Sequence, residues 1–125
     1  TNPLEAKAFA EATSADLVAV AVGSSHAMTT RDATLDFDLI AEIARTISVP
    51  LVLHGSSGVS DPDLQKAVKA GMSKINIATH LNNVFTHVIR EALGANPKLV
   101  DPRKYIAPGR EAVATEVARL LTLLG

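Results

Sequence analysis

Strict alternation of strand-like runs with helix-like periods most constrains what this chain can fold into. Leu17 to Val22 is apolar without alternation, as expected for a strand covered on both faces. Leu51 to His54 follows a Val49-Pro50 break, and Lys74 to Ala78 sets Ile75 and Ile77 on one face with Asn76 on the other. Between and around them lie helical periods. Pro3 to Ala12 has an early Pro, then Leu4, Ala8 and Phe9 at helical spacing. Phe37 to Thr46 leads a stripe of Leu39, Ile40, Ile43 and Ile47. Ser60-Asp61-Pro62-Asp63 is a helix start, and Gly71 ends that helix near Ala70. A helix is predicted from Thr79 to about Leu93, and a final amphipathic one from Pro108 to Leu124. Asn96-Pro97 and Asp101-Pro102 punctuate the linker between them.

The order α-β-α-β-α-β-α-α predicts an α/β fold with a parallel sheet and right-handed crossovers. Three strands make a thin sheet. A three-strand portion of a TIM (β/α)8 barrel explains them better than a complete flavodoxin-like domain, because such barrels take ~250 residues, about twice this length. The chain opens at Thr1 in mid-repeat, without an initiator Met. Residues 1–125 are therefore expected to be a fragment of a single barrel domain.

Two histidines close strand-like runs, in Gly23-Ser24-Ser25-His26 and in His54-Gly55-Ser56-Ser57-Gly58. One strand–helix–strand repeat separates them. In a parallel sheet that spacing sets both imidazoles at the carboxyl-terminal edge of neighbouring strands, where ligands bind. A lone histidine is more often an ordinary core or loop residue; two at equivalent strand ends suggest metal ligands. A catalytic zinc uses three protein ligands and an open position, so the pair is one short. His80 is expected to line the site or reach solvent, and His87, two turns along the helix, is assigned nothing.

Gly55-Ser56-Ser57-Gly58 permits close backbone approach to an anion and supplies hydroxyl and N–H donors. The helix opening near Ser60 adds a positive end. Asn76-Ile77-Ala78-Thr79 offers similar groups where the third strand enters a helix. Two such loops on adjacent strands resemble the phosphate site of many barrels. Arg103, in an expected rigid turn within Asp101-Pro102-Arg103-Lys104-Tyr105, is a further phosphate contact candidate.

Composition removes several function classes. Twelve Lys and Arg against 13 Asp and Glu give a net charge of −1, which argues against a broad nucleic-acid-binding face. The absence of cysteine excludes disulfides and thiolate metal sites. No apolar run approaches the ~20 residues of a membrane span, and a soluble cytoplasmic protein is expected.

These residues resemble the class II, zinc-dependent ketose-bisphosphate aldolases. The matching stretches are Ala19 to His26, Pro50 to Gly58, Lys74 to Thr79 and Asp101 to Tyr105, in order over essentially the whole chain. The resemblance implies the C-terminal part of that family's barrel, its last three strands and their helices. It implies that His26 and His54 are two of three histidines on Zn2+, with the third ligand and an aspartate acid/base upstream. It implies that Gly55, Ser56 and Ser57 bind the phosphate of dihydroxyacetone phosphate, that Asn76, Ile77, Ala78 and Thr79 complete the substrate site, and that Ala27 borders it. The implied reaction is reversible cleavage of a ketose (bis)phosphate to dihydroxyacetone phosphate and an aldehyde, by a homodimer or homotetramer of carbohydrate metabolism. This fragment alone is expected to be inactive. Ala27 departs from the family's usual Gly, Ala78 from a frequent Asp, and Asn82 from an Arg or Lys that meets a second phosphate. The last change favours a ketose monophosphate or an unusual substrate, and the Asn-Ile-Ala-Thr form looks more like the tagatose-bisphosphate branch. The competing expectation is a non-catalytic phosphate- or metal-binding half-barrel, or an assembly module.

Overall fold

Asn2-Pro3 opens the first helix as capping chemistry requires. The Asn2 side chain accepts from the amides of Leu4 and Glu5 at 2.9 and 3.1 Å, and Pro3 supplies the preset backbone angle of a first turn. The computed structural model describes residues 1–125, which divide into two units, Thr1–Ile77 and Ala78–Gly125.

In the first unit the elements run α1 (Pro3–Thr13), β1 (Val18–Ala19), α2 (Phe37–Thr46), β2 (Leu51–Leu53), a single 3-10 turn (Ser56–Gly58), α3 (Asp61–Ala70) and β3 (Met72–Ile75). The strands form a parallel sheet in the order β1-β2-β3. Helix between parallel strands is the predicted α/β alternation. β2 lies in the middle and all three of its residues are buried. Ile40 and Ile43 of α2, Leu51 and Leu53 of β2, Val59, and Leu64 of α3 form the fully buried centre. Burying each such side chain contributes roughly 1.5–3 kcal/mol, so these six dominate the cohesion of the unit.

Several details differ from expectation. The run Leu17 to Val22 contributes only two ladder residues, although Val20 and Val22 are buried. The Val20 amide still reaches the Val52 carbonyl, but the Val22 carbonyl accepts from Asp36 at 2.9 Å, so the chain leaves the sheet there. The third strand starts at Met72, not Lys74, because Gly71 ends α3 directly before the buried Met72. Its pairing stops when the Asn76 amide meets the Leu53 carbonyl, the last of β2. On α1 the small residues Ala6 and Ala10 are buried, while Leu4 and Phe9 are 73% and 57% exposed. Their spacing is helical, but their stripe does not face this unit's core.

In the second unit α4 (Thr79–Ala95) and α5 (Pro102–Leu124) pack on each other. Gly109 permits the close approach: a Cβ there would stand 3.0 Å from two ring carbons of Phe85. The last helix begins six residues before the predicted Pro108. Asp101 caps it and Pro102 lies in its first turn, a stronger start than Pro108. Pro108 then lies inside the helix, where it removes the hydrogen bond to the Lys104 carbonyl and crowds that oxygen.

Glu116 of α5 ties the pair together. Its carboxylate accepts from Arg119 Nε and Nη2 at 2.9 and 2.7 Å and meets His80 Nε2 of α4 at 2.6 Å. The Arg119 hydrogen bond, aided by His80 and opposed by partial burial, lowers its pKa from 4.5 to about 2. The folded pKa lies below the unfolded one, so this contribution is complete above about pH 4.5 and disappears as the pH falls toward 2. Glu116→Gln should cost on the order of 1–2 kcal/mol at neutral pH. In chemical denaturation from pH 7 to pH 2.5, the gap between the wild-type and variant midpoints should shrink.

Candidate functional site

The carboxyl ends of β1 and β2 are followed by the two histidines. Their rings come together edge to face, with centroids 5.3 Å apart and planes at 86°. Two imidazoles bound tetrahedrally to one zinc, with Zn–N near 2.0–2.1 Å, have centroids about 5 Å apart, so the spacing and the donor type fit a shared metal. No third His, Cys, Asp or Glu joins them in a set of three. The pair is therefore one donor short of a three-ligand set.

Asn76 stands beside this pair, its Nδ2 being 3.1 Å from His54 Nε2. Its Oδ1 accepts from Lys74 Nζ at 2.9 Å. As placed, the amide Nδ2 donates and His54 Nε2 accepts, so the contact fixes the orientation of the ring. Residue type and strand end made Asn76 a candidate for substrate; its contact with a histidine 22 residues earlier, at the end of the preceding strand, was invisible there.

The loops carrying the histidines meet through backbone. Ser24 Oγ donates to the His54 carbonyl at 2.6 Å. Gly55 has φ +65°, and a Cβ there would collide with the backbone of Ser25. Ser24 was not singled out by sequence because a serine in a polar loop carries no distinguishing signal.

Residues after Gly55 form the 3-10 turn predicted only as a Gly/Ser loop. Ser56 is buried, and its hydroxyl donates to the Leu53 carbonyl at 3.1 Å. Ser56 is thus limited to its backbone as an anion donor. Ser57 is half-buried. The start of α3, expected to attract an anion, is already complemented by its own acids. Ser60 caps it, and Asp61 and Asp63 occupy its first turn. Lys66 and Ser60 hydrogen bonds hold the Asp63 carboxyl below its usual range, so it is ionised there.

Ile77 ends the first unit, and Ala78 and Thr79 open the second. Thr79, expected as a cap, is the first residue of α4; Ala78 is its N-cap and no side chain bonds to that end. Its first turn carries no acid either. His80 is bound to Glu116, and His87 lies beside Glu91 at 3.3 Å on an exposed face. Arg103, expected in a rigid turn, lies in the first turn of α5. Its guanidinium forks onto Asp101 at 3.0 and 2.9 Å, and its side chain is 89% exposed. Arg103 in turn lowers the Asp101 pKa.

A groove of about 710 Å3 lies elsewhere, lined by residues of 21–23 and 34–39, and contains none of the predicted site residues.

The whole chain, residues 1–125, matches the family described as fructose-bisphosphate aldolase class-II. The chain belongs to that family. It is 33% identical to the YdjI aldolase from Escherichia coli K12, with a TM-score of 0.79, over 100% of this chain and 44% of that one. A putative fructose-1,6-bisphosphate aldolase from Coccidioides immitis is 27% identical, TM-score 0.84, over 99% of this chain and 42% of that one. The fructose-bisphosphate aldolase from Campylobacter jejuni, at 21% identity and TM-score 0.80, shares the fold over 99% and 45%. The chain thus spans less than half the length of these aldolases, and its strand–helix units have the architecture of part of their fold.

One residue beside His26 carries a backbone cost. Ala27, directly after His26, has φ +61°, in the left-handed region. An L residue there costs ~1 kcal/mol relative to Gly. Ala27→Gly should therefore raise stability by about 0.5–1 kcal/mol, read as a higher denaturation midpoint with an unchanged slope.

Proposed function

We propose that this chain is the C-terminal part, within one barrel domain, of a zinc-dependent class II aldolase. The reaction is reversible cleavage of a ketose phosphate to dihydroxyacetone phosphate and an aldehyde. The observation that carries this reading is the His26–His54 pair, 5.3 Å between centroids, beside the glycine-bearing 3-10 turn. Family membership supports the reaction class.

His26 and His54 would hold the zinc, with Asn76 fixing the His54 ring through its contact with Nε2. The third ligand and the acid/base lie outside these residues in this reading. When bound, zinc supplies Lewis-acid polarisation of the ketone and stabilises the charge left as the carbon–carbon bond breaks. Gly55, Ser56 and Ser57 present backbone to the phosphate, with Ser57 adding a hydroxyl and Ala27 and Ile77 bordering the substrate. This contact positions the ketone for cleavage. The uncapped first turn of α4 at Ala78 and Thr79 is a second anion-binding element, since its amides receive no side-chain acceptor. Arg103 would exchange Asp101 for a substrate phosphate. The working enzyme is a cytoplasmic homodimer or homotetramer in this proposal. No helix is long and apolar enough to cross a membrane.

In the full-length protein, His26→Ala and His54→Ala should each abolish cleavage and lower bound zinc, measured by metal analysis. Asn76→Ala should weaken zinc ~10–100-fold, by analogy with other groups that orient a metal-bound histidine. Near-normal zinc in both histidine variants would sink the assignment. Cleavage by residues 1–125 alone would overturn the claim that essential groups lie outside them.

The sugar is a separate question. Asn82 is exposed near the start of α4. Asn82→Lys should raise kcat/KM for ketose bisphosphates relative to monophosphates by about tenfold, the effect of one charge-assisted phosphate contact. An unchanged ratio in parallel assays would remove Asn82 as the reason for monophosphate preference.

A further inference from the structure

Residues 20–36 form the longest stretch of the first unit without helix or strand, and they carry His26. Such a segment has low intrinsic order, and it includes a left-handed non-glycine residue next to the ligand candidate. Something must hold it. The tether at its far end is Arg31. Its Nε and Nη2 both donate to the Val59 carbonyl, at 2.9 and 2.6 Å, and Nη2 also meets Asp61 Oδ1 at 2.6 Å. Val59 is fully buried, and the side chains of Arg31 and Asp61 are 33% and 30% exposed. Ala33 donates to the Gly58 carbonyl at 2.9 Å, and Met28 lies against Gly58. All these contacts fall on residues 58–61, directly after the 3-10 turn that follows His54.

From this we infer that Arg31 is a positioning residue. Its guanidinium fork pins the His26 loop to the segment following the Gly/Ser turn, holds the strained Ala27 backbone in place, and so presents His26 to His54. It touches neither histidine. A lysine cannot replace it, because one ammonium on a flexible stem does not reproduce a planar fork shared between a carbonyl and a carboxylate. The inference rests on the His26–His54 metal reading for its consequence, but not for the clamp itself.

Arg31→Met and Arg31→Lys in the full-length protein, each with and without Ala27→Gly, test it by two readouts. Amide hydrogen exchange reports the loop without any metal. Cobalt(II) titration, followed by its d–d absorption, reports whether the two imidazoles are presented together. Arg31→Met should speed exchange at residues 25–30 about tenfold or more while residues 40–43 keep their protection. It should weaken cobalt(II) binding ~10–100-fold, the range seen when support of a metal ligand is lost. Arg31→Lys should fall between Met and wild type. Adding Ala27→Gly should recover about fivefold in cobalt affinity, because a loop with less strain spends more time in the competent state.

Loop exchange and cobalt affinity within twofold of wild type in Arg31→Met would overturn the clamp. If Arg31→Met unfolds the unit, Arg31→Lys decides. Faster exchange confined to the loop supports the inference, and an equal rise over residues 40–43 overturns it. A wild-type protein that binds no cobalt sinks the metal reading instead, and loop exchange still decides the clamp.

Discussion

Everything in the first unit depends on β2. It is only three residues long, yet both neighbours pair with it and all its side chains are buried. Its last carbonyl, that of Leu53, accepts from both the Asn76 amide and the Ser56 hydroxyl. One buried oxygen thus sets where the third strand ends and how the Gly/Ser turn is folded back. A buried acceptor left without partners costs about 1–3 kcal/mol, which makes this double use a strong local constraint. His54 is the next residue, so its position follows directly from the end of the sheet.

The site is then assembled from groups that cost little when they are small and much when they are not. Gly55 permits its loop to rest on the backbone of Ser25, and the Ser24 hydroxyl reaches the His54 carbonyl. Ala27 goes against that economy, holding a left-handed angle without the freedom of glycine. The contacts that compensate lie at a distance along the loop, in Ala33 and Arg31. Together they tie the loop to residues 58–59 and 61.

Much of this was legible in the residues. Helix starts carry explicit chemistry, so Asn2-Pro3 and Ser60 announced α1 and α3 where they occur, while α2 was read from its apolar stripe and its Asp36 cap was not. The two strand-end histidines were legible because a parallel sheet maps equal positions in its repeat to equal positions in space. Strand limits were read less well. A run of valines is compatible with pairing, but pairing also needs a partner, and the partner of Val22 proved to be Asp36. The start of α5 was misplaced because Pro108 has the same covalent limits in a first turn as one turn later, and only the cap at Asp101 resolves the two. The burial of Ser56 was likewise hidden, since a serine reads the same whether its hydroxyl faces an anion or a carbonyl.

Local chemistry in the chain thus sufficed for element types, their order, the parallel sheet and the nomination of His26, His54 and Asn76. These follow from periodicity, caps and strand ends, which act over a few residues at a time. Which nitrogen of His54 is engaged, what holds the His26 loop, and which candidates are already partnered were left to the folded chain. Arg31 with Asp61, Asn76 with His54 and His80 with Glu116 are 30, 22 and 36 residues apart. Contacts of that separation come from packing the core, because a side chain's spare hydrogen bond carries no address until burial brings a partner within 3 Å.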